Sequence, residues 1–298
     1  MITIQQAIRN QLAQLPAPGR PLLAQITTAP SFAGVIPAAQ ARTLATQMDV
    51  SIEVLMHTLV PLARCFAYTP ISNYNVGTIV RGASGNLYLG ANLEFLGLGL
   101  NLTIHGEQAA VVNARLHGET GLAALSVQGT PCGHCRQFLA EINNPDFAII
   151  YADGHKRPLT QVLPHAFSPM ALGNAQGLFD PPQPRPQWTL NTDDPLSKLA
   201  LQMAQQSYAP YSKNWAGIAV QLTNGFVAGG PYLENVAFNP SLSPLQTALV
   251  ALRMAQQSWQ DIQDAVLVEQ QASLSSHTPA SRALLATFGT VELRYHAL

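Results

Sequence analysis

The chain carries an internal repeat, which limits its fold to two copies of one architecture. Residues 69–77 (TPISNYNVG) match residues 209–217 (APYSKNWAG), and residues 90–94 match residues 230–234 at the same spacing of 140 positions. Two separate matches at one spacing favour duplication over two domains that share turn residues by chance. Helical patterns alternate with strand patterns, which is typical of an α/β fold.

The repeat and a proline-rich stretch divide the chain into parts. With 298 residues, the chain is long enough for two domains with substantial cores. We predict a small N-terminal helical segment over 1–48, a first copy over 49–178, a proline-rich linker over 179–190 and a second copy over 191–298.

The first copy contains a pattern of metal-binding side chains. His105 and Glu107 are followed by Cys132 and Cys135, with Pro131 directly before the first cysteine. One imidazole and two thiolates leave the fourth position of a tetrahedral Zn²⁺ free for water, as a catalytic zinc site requires. A carboxylate two residues after the histidine is well placed to move protons beside the metal. The pattern therefore predicts a catalytic zinc site.

The Cys-x-x-Cys pair alone is a weak signal, because it also occurs as a redox pair, as half of a structural zinc site or as two packed thiols. The upstream His-x-Glu and the preceding proline favour the metal site. We expect a helix over 106–116, closed by Gly118, and a second helix whose first turn contains Pro131 and carries both thiols on one face. The N-terminus of that second helix would lower the thiol pKa.

Other residues of the same types have simpler interpretations. His117-Gly118-Glu119 repeats the His-Gly-Glu pattern but lies about 18 Å farther along the same helix, at ~1.5 Å per residue, so the two patterns cannot share one metal. We expect His117 to be a capping or solvated residue and His134 to lie beside the site or at the surface. Cys65, in an apolar stretch, is expected to be a small core residue.

The second copy keeps the fold pattern and loses the metal ligands. When one residue is dropped, residues 105–109 align with residues 244–248, which places Gln246 opposite Glu107. No cysteine follows Cys135. We therefore predict a single metal site in the chain.

Composition points to a small neutral substrate. The net charge is −1, only 10% of the residues are charged and basic residues form no run, which argues against binding of nucleic acid phosphates. Three cysteines give no disulfide framework, and neither a signal peptide nor a long apolar span is evident. We therefore expect a cytoplasmic protein without membrane contact. An apolar content of 47% is typical of a chain that buries surface in an oligomer or has large cores.

The order H-x-E and then P-C-x-x-C resembles the zinc-deaminase signature, and the chain from about Ser51 resembles cytidine deaminase of the long, two-domain, homodimeric bacterial type. The resemblance implies duplicated three-layer α/β/α domains and the hydrolysis of cytidine and deoxycytidine to uridine and deoxyuridine plus ammonia, a step of pyrimidine salvage. It also implies one Zn²⁺ per chain, a nucleoside substrate and a homodimer. The site residues that it implies are the zinc ligands His105, Cys132 and Cys135, the proton carrier Glu107, and the ribose-binding pair Asn92 and Glu94.

Three further positions of the implied site differ from relatives or come from the resemblance alone. The family usually has alanine between the histidine and the glutamate, whereas this chain has Gly106. The backbone N–H thought to bind the pyrimidine carbonyl remains, but we expect a looser loop. Tyr74 stands where relatives carry a phenylalanine that stacks near the pyrimidine, and its hydroxyl needs a partner. Phe167 resembles a second aromatic residue that lines the pocket across the dimer.

Two other functions remain open on the sequence. A deaminase of tRNA adenosine or of a nucleotide shares the zinc signature, although it would need basic surface for phosphate. A non-catalytic zinc-binding or dimerisation protein is the second alternative, and Gly106 is the feature that favours it.

Overall fold

The computed structural model of the chain describes residues 3–181, 188–271 and 273–298, so residues 182–187 of the predicted linker lie outside the described residues. The helices are α1 (Ile4–Leu12), α2 (Arg20–Thr28), α3 (Ala38–Gln47), α4 (Ile52–Ala63), α5 (Gly106–Leu116), α6 (Gly133–Ala140), α7 (Leu159–Val162), α8 (Pro195–Gln206), α9 (Pro244–Met254) and α10 (Thr278–Ala286). The strands are β1 (Val35–Ile36), β2 (Gly77–Gly82), β3 (Leu87–Ala91), β4 (Leu122–Val127), β5 (Ala148–Ile150), β6 (Lys156–Pro158), β7 (Ala216–Leu222), β8 (Val227–Pro231), β9 (Ile262–Glu269) and β10 (Leu293–Ala297). None of the described helices is long and apolar enough to cross a membrane.

The strands form two sheets that share one topology. The first sheet has the order β1-β3-β2-β4-β5-β6, and the second has the order β10-β9-β7-β8. In each sheet a hairpin (β2-β3 or β7-β8) pairs antiparallel with a third strand (β4 or β9). That third strand pairs parallel with a fourth (β5 or β10). The second sheet therefore copies the central part of the first.

The hairpin registers confirm the duplication. Gly77 pairs with Ala91 in the first hairpin, and Gly217 pairs with Pro231 in the second. Both partners are thus shifted by the spacing found in the sequence. The isolated bridges Tyr68–Leu93 and Tyr208–Leu233, which lie outside the strands, show the same shift.

The predicted alignment of the helix after the second hairpin is wrong by one residue. The N-caps of α5 and α9 are His105 and Ser243, and each helix has 11 residues. The second copy therefore drops two residues before this helix, so Glu107 corresponds to Leu245 and not to Gln246. Each helix has a glutamine at its third position that closes a capping box. Aligning that glutamine of α9 with Glu107 caused the error.

Helices cover both faces of each sheet. A Cβ on Gly77 would lie 2.4 Å from the Val60 carbonyl oxygen of α4, whereas a Cβ on Gly106 of α5 would lie 2.9 Å from Thr78 Oγ1. Successive residues of a strand face opposite sides of the sheet, so α4 and α5 lie on opposite faces. Gly217 allows the same close approach of α8 in the second copy. The predicted three-layer α/β/α fold is confirmed.

The N-terminal segment adds a strand to the first sheet. Helices α1, α2 and α3 agree with the predicted helical character, but β1 was not predicted and pairs antiparallel with β3. Leu23, Ile36 and Leu44 of this segment are fully buried. The segment therefore belongs to the core of the first domain.

The two domains meet through α5 and α9 in a nearly two-fold arrangement. Gln108 Nε2 donates to the Pro240 carbonyl at 2.9 Å, and Gln246 Nε2 donates to the Leu102 carbonyl at 3.0 Å. These positions are equivalent in the two copies, so each domain gives the bond that it receives, as in an isologous dimer contact. One cluster of buried apolar side chains extends through both domains.

Candidate active site

The first part of the site is the start of α5. His105 is the N-cap, and its backbone N–H donates to Gln108 Oε1 at 3.0 Å. This bond closes the first turn and holds the backbone that carries the imidazole. Gly106 and Glu107 are the first two helical residues, and the helix ends at Leu116, as predicted.

The second part of the site is the start of α6. Cys132 is the N-cap of this helix, and Cys135, in its first turn, is fully buried. The predicted place of Pro131 in the first turn is wrong, because Cys132 has an extended backbone and the helix begins only after it. The Pro131 carbonyl instead accepts a hydrogen bond from Arg136 Nε at 2.7 Å, which holds the loop before the helix.

The imidazole and the two thiols are spaced as zinc ligands. Cys132 Sγ lies 3.6 Å from His105 Nδ1 and 3.5 Å from Cys135 Sγ, and the three donor atoms lie within 4.8 Å of one another. Tetrahedral ligands at the usual Zn–S and Zn–N distances would be about 3.8 Å apart for two sulfurs and about 3.6 Å apart for sulfur and nitrogen. The donor set therefore fits Zn²⁺. Across the described ranges, it is the one His, Cys, Asp or Glu cluster that could hold a metal.

The two thiols differ in their electrostatics. Hydrogen bonding from Cys135 lowers the pKa of Cys132 to about 4, and backbone N–H groups at the start of α6 act in the same direction. The same hydrogen bond and burial raise the pKa of Cys135. A zinc ion needs both groups as thiolates, so its binding would release the proton that the sulfurs share.

Two more side chains pack against this donor set. Glu107 is 5% exposed and interacts electrostatically with His105, Cys132 and Cys135. Burial raises the pKa of Glu107 above its ordinary value. The ring of His134 stacks on that of His105 with 4.8 Å between the centroids, which matches its expected position beside the site. A buried carboxylate next to a metal position can exchange protons with water there.

The other candidates of the same residue types have structural uses. His117 caps α5, and its Nδ1 lies 2.8 Å from a backbone carbonyl of that helix. Glu119 accepts hydrogen bonds from the hydroxyls of Tyr88 and Ser84, which joins the end of α5 to the first hairpin. Cys65 packs against the core, and burial raises its pKa to about 11.

The predicted ribose-binding pair follows β3 and is buried. Asn92 Oδ1 accepts a hydrogen bond from the Val76 N–H at 2.8 Å. Glu94 accepts bonds from the N–H groups of Ile71 and Ser72 at 2.9 and 3.0 Å and from the Ser72 hydroxyl at 2.5 Å. Burial raises the pKa of Glu94, but these bonds outweigh it and the pKa is lower than usual. A carboxylate has roughly four acceptor sites, so one remains for a ligand hydroxyl.

The two predicted aromatic residues have exposed rings. Tyr74 is 63% exposed and Phe167 is 47% exposed. The Tyr74 carbonyl accepts a bond from Asn92 Nδ2 at 2.9 Å, and the Phe167 carbonyl accepts one from Gln137 Nε2 of α6 at 2.7 Å. Both backbones are therefore tied to elements of the site, while both rings face solvent in the single chain.

Gly106 is more confined than the sequence indicated. It is buried in the first turn of α5. An added Cβ would lie 2.9 Å from Thr78 Oγ1 and 3.1 Å from Val76 Cγ1. The expected looser loop is wrong, because the residue lies in a regular helix with no free space above the sheet.

The sequence did not reveal a buried carboxylate that holds α6. Glu141, the C-cap of α6, is fully buried. It accepts hydrogen bonds from the Tyr208 and Tyr211 hydroxyls at 2.7 and 2.5 Å and from the Val236 N–H at 2.8 Å. These donors lie at least 67 positions away in the chain, so no local pattern pointed to them. Glu141 joins the helix of Cys135 to the second domain.

Among the described residues of the second copy there is no equivalent donor set. Ser243 and Leu245 stand at the positions of His105 and Glu107, and α10 starts after His277, where the first copy has its first cysteine. A lone histidine does not make a zinc site. The prediction that the second copy has lost the metal ligands therefore agrees with its geometry.

Two family models together match most of the chain. Models described as "Cytidine and deoxycytidylate deaminase zinc-binding region" match residues 50–151 and residues 159–282. The second match includes the copy that lacks the donor set, so it reflects the shared fold.

Individual relatives extend over nearly the full chain. Cytidine deaminases from Yersinia pestis and Yersinia pseudotuberculosis are 42% identical over 289 residues, which covers 96% of this chain and 97% of each relative. Solved cytidine deaminase structures from Mycobacterium tuberculosis and Burkholderia pseudomallei are 29% and 28% identical, with TM-scores of 0.36 and 0.34. They cover 38% of this chain and 95% and 97% of their own. The family match and the His-Cys-Cys donor set identify the metal as zinc. The chain belongs to the cytidine deaminase family.

Proposed function

We propose that the chain hydrolyses cytidine and deoxycytidine to uridine and deoxyuridine with release of ammonia, and that it uses one Zn²⁺ per chain. The observation that carries the proposal is the set of three donor atoms within 4.8 Å of one another, with the buried Glu107 carboxylate beside it. His105, Cys132 and Cys135 would hold the ion. Relatives named cytidine deaminase match the chain over 96% of its length.

Glu107 carries the protons in this proposal. When bound, zinc supplies a Lewis acid that lowers the pKa of water at the site. Glu107 takes a proton from the attacking water, delivers it to a ring nitrogen and later protonates the amine that leaves C4. Water adds and ammonia departs, so cytidine and water give uridine and ammonia. The burial of Glu107 limits competition from bulk water for the proton.

Asn92 and Glu94 bind the ribose in this proposal. Glu234, the equivalent of Glu94, accepts bonds from the N–H groups of Tyr211 and Ser212 in the second copy. The bonds common to both copies serve the turn, and sugar binding is the additional role of Glu94. A base without ribose would leave these buried polar groups unpaired and would bind weakly.

A cytoplasmic homodimer completes the proposal. Large apolar side chains are exposed near the predicted pocket aromatics, namely Ile71, Tyr74, Phe167, Met170 and Leu172. They fall into two groups along the chain, at residues 71–74 and 167–172, and exposed apolar groups that form a patch are typical of a protein contact. A second copy would cover them and bring Phe167 to the neighbouring pocket. A sedimentation mass equal to that of one chain would contradict the dimer.

The first test uses the purified chain with cytidine. Turnover is followed by the ultraviolet change of the pyrimidine and by ammonia release, and zinc is measured on the same sample. We expect turnover with about one zinc per chain. Cytidine 5′-monophosphate is the comparison substrate, because a nucleotide deaminase would prefer it. Such a preference, or a zinc-loaded chain that turns over neither nucleoside, contradicts the proposal.

The second test replaces the proton carrier. Glu107→Gln keeps the size of the side chain and removes the titratable group, so turnover should fall by about 10²–10⁴-fold while zinc content stays unchanged. Glu119→Gln is the matched control, because it makes the same change in the other His-Gly-Glu sequence. Parental turnover in Glu107→Gln would refute the assignment.

A further inference from the structure

Thr78 of β2 carries a buried hydroxyl without a partner. The residue is 0% exposed, and within the described residues its Oγ1 makes no hydrogen bond. A buried hydroxyl without a bond destabilises the folded state. Its retention at this position therefore needs a reason other than hydrogen bonding.

Thr78 lies directly against the turn that joins the zinc-binding imidazole to the proton carrier. A Cβ on Gly106 would lie 2.9 Å from Thr78 Oγ1, 3.1 Å from Val76 Cγ1 and 3.4 Å from the Val76 carbonyl oxygen. Contacts this short require the neighbours to move. The space between Gly106 and the sheet is thus filled by Thr78 of β2 and by Val76, which directly precedes that strand.

The backbone at this position does not itself require glycine. Gly106 does not have the positive φ that favours glycine, and Pro244 occupies the same position of the second copy. There, Ala216 stands at the position of Val76 and Ile218 at that of Thr78. The second copy thus provides room for a side chain on the Val76 side, where Ala216 is smaller, while Ile218 is larger than Thr78. In the first copy, Thr78 and Val76 occupy that room.

The first turn of α5 cannot shift towards β3 to make room for a methyl group on Gly106. Thr78 pairs across the hairpin with Gly90, and a Cβ on Gly90 would lie 2.5 Å from the Gly106 carbonyl oxygen. The first turn of α5 therefore rests directly on the backbone of β3. Any group added between β2 and the turn must displace the turn or the side chain of Thr78.

We propose that Thr78 is a positioning residue and that it forms a size-matched pair with Gly106. The side chain of Thr78 sets the height of the first turn of α5 above the sheet, and with it the positions of His105 and Glu107. The inference rests on the proposed function of that site. It explains why a small residue lies between the two functional residues.

A double-mutant cycle on the zinc-loaded chain tests the pair. Gly106→Ala should lower kcat for cytidine by about 10–100-fold, because a displacement of about 1 Å at a reacting group has effects of that order. Adding Thr78→Ala should restore kcat to within a few-fold of the parent, since the methyl group then has room. Adding Thr78→Val instead should give no rescue, because valine keeps the volume and removes only the hydroxyl.

Two readouts separate this inference from the proposed activity. A chelator should remove zinc faster from Gly106→Ala than from the parent, and its urea midpoint of unfolding should be lower. Adding Thr78→Ala should restore both quantities, whereas adding Thr78→Val should restore neither. These readouts apply even if cytidine is not the substrate. Parental kcat and zinc retention in Gly106→Ala, additive effects in the cycle, or equal rescue by valine and alanine would each overturn the size-matched pair.

Discussion

Removal of the Glu141 carboxylate should destabilise the whole chain and loosen the helix that carries Cys135. Glu141→Ala leaves the hydroxyls of Tyr208 and Tyr211 and the N–H of Val236 without their acceptor. A buried donor left without an acceptor costs roughly 1–3 kcal/mol. Tyr208 and Val236 are buried, while Tyr211 is only half-buried and can reach water.

The two fully buried donors therefore dominate the effect. We expect the free energy of unfolding to fall by about 3–5 kcal/mol, the usual result of removing one partner from a buried charged network. Glu141→Gln keeps an amide oxygen as acceptor and is the control, with an expected loss of about 1–2 kcal/mol. Urea unfolding followed by tryptophan fluorescence measures both variants.

The same variants report on the site. Because Glu141 caps α6, the alanine variant should also release zinc to a chelator faster than the parent. One apolar cluster extends through both domains, so we expect a single unfolding transition for the parent. If the free energy of unfolding of Glu141→Ala lies within about 1 kcal/mol of the parent value, which is the ordinary effect of a single substitution, the reasoning is refuted.

Three further predictions concern the metal, pH and the sugar. Cys132→Ala should lose zinc by elemental analysis, and a full equivalent of metal in that variant would place the site elsewhere. Burial lowers the pKa of His277 to about 4 from an ordinary 6.5, so its stabilising contribution is present above pH 6.5 and is lost as the pH falls towards 4. Between about pH 7.5 and 5.5 the parent should lose about 1 kcal/mol of unfolding free energy that His277→Gln does not lose, and equal pH slopes would contradict this. Glu94→Gln should raise KM for cytidine by about 10–100-fold, because a hydrogen bond to a charged group is weakened; an unchanged KM would remove Glu94 from the sugar site.

The elements around the site could be predicted because their signals are local. The helix over 106–116 has the predicted bounds. The spacing of the repeat anticipated the hairpin registers, since strand pairing preserves residue offsets. The donor set followed from residue chemistry alone, as thiolates and imidazole are the ligands that zinc prefers.

The features that were missed depend on distant contacts. The position of Glu141 is set by tyrosines of the second domain, and the confinement of Gly106 is set by Thr78 on a neighbouring strand. The strand β1 was missed because two residues carry too little pattern to be recognised. Pro131 misled the prediction because proline suits both the first turn of a helix and the loop before it.

The reciprocal bonds of Gln108 and Gln246 have a consequence for how this assembly responds to dilution. Two separate chains with such a contact would dissociate when their concentration falls below the dissociation constant. Here both partners belong to one polypeptide, so each meets the other at an effective concentration in the millimolar range, whatever the amount of protein present. The contact of α9 with α5 therefore persists even in a cell that contains only a few molecules of the protein. Only contacts between separate chains remain sensitive to concentration.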